Sequence, residues 1–122
     1  HHCVQKSMLS VEQAAVVARK HDLPLIVDAA AEEDLHVYDR SGADLVIYSG
    51  AKAIEGPTSG LVIGKTQYIE WVKRQTAGIG RAMKVGKEGI LGLTCAIEHY
   101  LTATKESGAE MVAKIDAVYR RA

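Results

Sequence analysis

The chain has 122 residues, of which 15 are basic and 15 acidic, so its formal net charge is zero, and 48% of it is hydrophobic. That length supports one domain with a core of its own; the even charge balance, with no basic block beyond Arg120-Arg121, argues against a nucleic-acid partner, and no apolar run reaches membrane-spanning length. Cys3 and Cys95 stand far apart with no CxxC, so neither a disulfide framework nor a zinc knuckle is indicated, and a cytoplasmic location is expected.

The sequence opens His1-His2-Cys3 without a methionine and reads as an internal piece of a longer protein. His1–Lys6 reads as the tail of a strand. Ser10-Val11-Glu12-Gln13 matches a capping box, with Ser10 at the N-cap and Gln13 three residues in. The helix it opens carries Val11, Ala14, Ala15 and Ala18 on one face and ends near His21, ahead of Pro24. The apolar run Leu25–Val27 then predicts a buried strand, ending at Asp28. A helix feeding such a strand is half of a βαβ unit. Glu32–Leu35 predicts one helical turn, and Asp39-Arg40-Ser41-Gly42 predicts a turn.

Leu45–Tyr48 is a second short apolar run rich in β-formers. It stops at Ser49-Gly50, and Lys52 follows at once. Open α/β sheets place their ligands just past the carboxyl ends of their strands. Small residues flank this lysine and leave room for a large flat group, and Gly56-Pro57-Thr58-Ser59-Gly60 offers hydroxyls and free N–H groups to a phosphate. An amine so placed can form a Schiff base with a carbonyl, the linkage that holds pyridoxal phosphate. Asp28, at the end of the preceding strand, can pair with a protonated pyridine nitrogen. Taken singly, Lys52 reads as a solvated loop lysine and Asp28 as a cap or turn residue; their places at successive strand ends favour the chemical reading.

Leu61–Ile63 predicts a third strand. Thr66 is a candidate cap for a helix to about Gln75, with Tyr68, Ile69 and Val72 inward. Thr76–Gly89 mixes four glycines with Arg81, Lys84 and Lys87, and reads equally as a solvated connector or an anion-binding loop. A long helix is predicted over Ile90–Lys105, with Ile90, Leu93, Ile97, Tyr100 and Leu101 on one face; a last helix carries Met111, Val112, Ile115, Val118 and Tyr119. His21, His36 and His99 lack partners at ligand spacing, and Glu32-Glu33-Asp34 reads as a solvated face, so no metal is expected.

Val27-Asp28-Ala29-Ala30-Ala31-Glu32, Ser49-Gly50-Ala51-Lys52, Gly56-Pro57-Thr58-Ser59-Gly60 and Arg81-Ala82-Met83-Lys84-Val85-Gly86-Lys87 together resemble the fold-type I pyridoxal-phosphate enzymes. Within them the chain is most similar to the selenocysteine synthase-like branch, and there to the D-glucosaminate-6-phosphate ammonia-lyase group. The resemblance implies an α/β fold, part of the large domain over residues 1–88, its sheet mainly parallel with flanking helices. Residues 89–122 would be helices leading to a C-terminal domain beyond Ala122. It implies pyridoxal 5'-phosphate as cofactor, Lys52 as the Schiff-base lysine, Asp28 as partner of the ring nitrogen, and Ala30 packed on the ring face. Ser49 would touch the cofactor phosphate, Thr58 the phosphate in a neighbouring subunit of a homo-oligomer, and His2 and Gln5 the ring hydroxyl. Arg81, Lys84 and Lys87 would hold a phosphate or carboxylate of an amine substrate. The family's upstream phosphate loop and ring-stacking residue would lie before His1, so the piece alone is expected to be inactive.

The activity implied is loss of ammonia from an amino-sugar acid or β-hydroxy amino acid. The alternatives are selenium transfer on seryl-tRNA, which calls for a basic surface that a neutral segment does not offer, and a non-catalytic α/β binding or assembly module.

Overall fold

The computed structural model describes residues 9–38 and 40–103, together with 113, 116, 117, 119 and 120. Over these the chain is an α/β structure of three helices, a short 3-10 helix and a three-stranded sheet. The expected strand at His1–Lys6 and most of the last expected helix fall outside the described residues.

Helix α1 covers Val11–Lys20. Its start is the capping box read from the sequence: Gln13 N–H donates to Ser10 Oγ (3.2 Å) and Ser10 N–H to Gln13 Oε1 (2.9 Å). The expected inner face holds. Ala15 is buried, Val11, Ala14 and Ala18 are half-buried, and Val16 and Val17 are exposed. Gly42, with φ of +87°, a conformation that side-chain-bearing residues rarely adopt, lies close against Ala15 and Arg19.

Strands β1 (Ile26–Asp28), β2 (Leu45–Ser49) and β3 (Gly60–Gly64) stand in that order. β1 and β2 run parallel, with Asp28 opposite Ile47; β2 and β3 run antiparallel, with Ser49 opposite Gly60. The sheet is therefore mixed over the described strands. The Gly56–Gly60 turn returns the chain directly beside β2, and so short a connection permits only an antiparallel neighbour.

The side chains of Val27, Val46, Tyr48 and Leu61 share the face that carries the core. Buried there are Ala29, Leu35, Val46, Tyr48 and Ile54. Helix α3, Lys87–Thr102, covers this face with Leu93, Ala96, Ile97 and Tyr100. Ile90 and Leu101, expected to face inward, are exposed. The helix begins three residues earlier and ends three earlier than its sequence pattern suggested, because Gly86 already takes the N-cap position.

Helix α2 covers Thr66–Gln75, within the expected bounds, but Lys65 rather than Thr66 is its N-cap and no side chain caps it. The reason lies in the sheet. Lys65 N–H donates to the Asp44 carbonyl (2.9 Å), extending the β2–β3 ladder to the helix boundary and making Thr66 already helical. Tyr68 and Ile69 are half-buried, while Val72 is exposed. The one-turn helix expected at Glu32–Leu35 is absent; a turn over residues 35–38 stands instead.

Asp44 ties the amino ends of β1 and β2 to the carboxyl end of β3. Its Oδ2 accepts from Leu25 N–H (2.7 Å) and its Oδ1 pairs with Lys65 Nζ (2.6 Å). The Lys65 hydrogen bond, then that from Leu25, holds the Asp44 carboxyl below the usual carboxylate value. Replacing Asp44 by alanine strips the Leu25 N–H of its partner and should cost about 1–3 kcal/mol in urea unfolding. A depressed carboxyl stabilises the fold above its unfolded value of about 4 and loses that contribution as pH falls below it. Acid titration should therefore show an Asp44-dependent fall in stability beginning below about pH 4, absent in Asp44→Asn.

Candidate active site at the carboxyl ends of two parallel strands

Asp28 is the last residue of β1, and Lys52 lies three residues past the end of β2. The two strands are hydrogen-bonded neighbours running the same way, so both residues emerge at the same edge of the sheet. Both are exposed. Asp28 Oδ1 accepts from Ala30 N–H (3.1 Å), a local bond of the Asx-turn kind. Lys52 forms no ion pair with any described residue. A cation and a carboxylate are thus presented together, neither neutralised by the other.

The turn that carries Lys52 is laced by main-chain bonds. Gly56 N–H donates to the Gly50 carbonyl (2.7 Å), Glu55 N–H to the Lys52 carbonyl (2.8 Å), and Gly50 N–H to the Ser59 carbonyl (2.9 Å). Ile54 anchors it in the core at 3% exposure. Glu55 adopts a left-handed backbone, with φ of +57°, which is uncommon outside glycine and asparagine. Strain of that kind concentrates where a loop shape is over-determined by its surroundings.

The other sequence-derived residues divide as follows. Ser49 ends β2, half-buried, and Ala30 is half-buried two residues past Asp28. Thr58 is exposed in the turn beside Pro57. These three line the same edge as Asp28 and Lys52. Arg81 lies on the 3-10 helix Ile79–Met83, which packs against α2; Lys84 follows it, Lys87 opens α3, and all three are exposed. Lys87 precedes Gly92 by five residues, about 7.5 Å along the helix axis, and Gly92 touches the lysine turn. His2 and Gln5 lie outside the described residues.

Sequence reasoning named Ser59, Tyr48 and Tyr100 but not the contacts by which they shape this edge. Ser59 Oγ donates to the Pro57 carbonyl (2.8 Å) and lies where a side chain at Gly50 would collide. Tyr48 donates its hydroxyl to the Leu35 carbonyl (2.9 Å), while Tyr100 donates to the Glu33 carbonyl (2.8 Å) and accepts from Leu35 N–H (3.2 Å). The Tyr100 contacts join positions 65 and 67 apart in sequence, a pairing no local pattern signals.

An exposed lysine and carboxylate at adjacent strand ends stand where open α/β sheets place their ligands. The profile of the L-seryl-tRNA selenium transferase family matches residues 30–118, and the chain belongs to that family. It is 51% identical over 126 residues to D-glucosaminate-6-phosphate ammonia lyase of Salmonella typhimurium (strain 14028s / SGSC 2262), covering 98% of this chain and 34% of that protein. It is 42% identical to 5'-C-glycyluridine monooxygenase-decarboxylase of Streptomyces sp, over 88% of this chain and 27% of the other. A solved structure of D-glucosaminate-6-phosphate ammonia-lyase superposes with a TM-score of 0.81 at 54% identity, covering 90% of this chain and 30% of that one. The chain thus spans about a third of the length of these relatives. The superposition agrees with the fold class read from the sequence.

Proposed function

We propose that the protein is a pyridoxal-phosphate-dependent ammonia lyase acting on a phosphorylated amino-sugar acid, with Lys52 and Asp28 at its centre. The observation that carries this reading is the pair of uncompensated groups at the carboxyl ends of β1 and β2, in a chain 51% identical to a D-glucosaminate-6-phosphate ammonia lyase. The edge suits a flat ring phosphate. Small residues at Ala30 and Ala51 keep it open, the Ser49 hydroxyl offers a phosphate contact, and the Asp28 carboxylate is held by Ala30 N–H.

When bound, pyridoxal phosphate supplies an electron sink for the charge left on the substrate α-carbon. The Lys52 amine would hold the cofactor covalently between turnovers, and once displaced by the substrate amine would take the proton from the α-carbon. Asp28 would keep a proton on the ring nitrogen. Ala30 would pack on the ring face, and His2 and Gln5 would approach the ring hydroxyl. Arg81, Lys84 and Lys87 would hold the substrate's phosphate or carboxylate, which bidentate and point-charge cations suit. Thr58 would serve a neighbouring subunit, which makes the enzyme a homo-oligomer, and we place it in the cytoplasm. In the same reading residues 1–88 belong to the large domain and 89–122 lead toward a C-terminal one, although α3 also packs on the sheet core.

The test is a visible spectrum of the intact protein with pyridoxal phosphate, then borohydride reduction and peptide mapping. A yellow protein labelled on Lys52 is expected. A colourless, unlabelled protein would return the chain to a binding or assembly module. The family profile favours one rival, selenium transfer on seryl-tRNA. A gel shift with that tRNA separates the two, since the lyase is expected to give none.

A further inference from the structure

Helix α3 touches the site in two places. Near its start, a Cβ on Gly92 would stand 3.1 Å from the Pro57 ring. One residue on, Leu93 Cδ1 would stand 2.9 Å from a Cβ on Gly50 and 3.3 Å from one on Gly56, and Ala96 Cβ 3.2 Å from the latter. Gly50 and Gly56 bracket the Lys52 turn. Two helical turns after Gly92, Tyr100 grips the segment that follows Asp28, through the Glu33 carbonyl and Leu35 N–H.

This double contact has a consequence for Lys52 and Asp28. The β1–β2 ladder registers Asp28 against Ile47 and runs on only through Ala29 N–H to the Ile47 carbonyl (2.8 Å). Lys52, three residues past β2, has no ladder of its own. A rigid helix seated on both segments supplies the missing tie.

We propose that Gly92 and Tyr100 are positioning residues: through α3 they set the placement of the Lys52 amine relative to the Asp28 carboxylate. This rests on the pyridoxal-phosphate reading above. Gly92 admits the Pro57 ring and lets the lysine turn sit down on the helix. Tyr100 pins the other segment from the same helix, so the two cannot shift independently.

The experiment compares pyridoxal phosphate affinity, visible circular dichroism of the bound chromophore and borohydride labelling of Lys52 across variants of the intact protein. Tyr100→Phe removes the hydroxyl and with it the bonds to Glu33 and Leu35, and should weaken cofactor binding about tenfold with an altered dichroic band. Gly92→Val should cut labelling at subsaturating cofactor by a similar factor, and Gly92→Ala, a smaller push against Pro57, by less. Glu98→Gln, on the exposed side of α3, should match the unsubstituted protein. Should Gly92→Val fail to fold, Gly92→Ala and Tyr100→Phe carry the test. Folded variants with unchanged affinity and dichroism overturn the proposal, even if their melting temperature drops, because that pattern marks a purely structural role. Absence of a Lys52 label in the unsubstituted protein is a different result: it overturns the cofactor reading itself.

Discussion

Lys52→Ala is expected to abolish ammonia release and leave the fold unchanged. The side chain is exposed and pairs with no described residue, so its removal takes away no packing and no ion pair. The turn around it is closed by main-chain bonds that alanine retains. Thermal unfolding should therefore match the unsubstituted protein within error. Activity should not. In the proposed reading, alanine removes the amine that would hold the cofactor and the base that would take the α-proton, and a positioned base alone contributes about 10²–10⁴ in rate. The measured loss should be at least about a thousandfold, together with loss of the borohydride-stable label. Retained turnover would remove Lys52 from the chemistry, and with it the proposed reaction.

The second large effect is at Asp28. Asp28→Asn preserves the shape of the side chain and an oxygen for Ala30 N–H, but removes the negative charge. Asp28→Ala removes both. If the carboxylate keeps the ring nitrogen protonated, the two variants should bind cofactor and share a rate loss of about 10²–10³, the scale of a deleted preorganised electrostatic partner. If Asp28 matters only as a turn residue, the asparagine variant should be near normal and only the alanine variant impaired. Steady-state rates on the two proteins separate these cases, and a normal rate in both would discharge Asp28 from the mechanism.

The parts legible in the sequence were those written in short-range chemistry. The Ser10–Gln13 box lies within one helical turn and appears in the structure with both of its bonds. The strands expected at Leu25–Val27, Leu45–Tyr48 and Leu61–Ile63 are visible as β-rich apolar stretches between turn residues, and each observed end lies within a residue of the expected one. The places of Asp28 and Lys52 followed from those strand ends, and the resemblance to the selenocysteine synthase-like branch agrees with the family match. What escaped notice depends on contacts distant in sequence. Thr66 looks like a cap until the Asp44 carbonyl, 21 residues earlier, is seen to draw Lys65 into that position. The seat of Pro57 on Gly92 and the grip of Tyr100 on residues 33–35 join segments whose local patterns predict only a turn and a helix. Ile90 and Leu101 fit the helical apolar stripe yet face outward, since periodicity gives the stripe and not its edges.

The lysine turn takes its shape from three main-chain hydrogen bonds and one buried isoleucine, and from no polar side chain of its own residues 51–55. Its outline is accordingly indifferent to most of the letters written on it. Ala51 and Ala53 can be exchanged during divergence without displacing the amine, provided Ile54 and the flanking glycines stay. Such a turn is a fixed socket beneath a changeable rim. If Lys52 has the proposed role, one ancestral chain could alter which substrate it admits by rewriting the rim alone, leaving the lysine where it was.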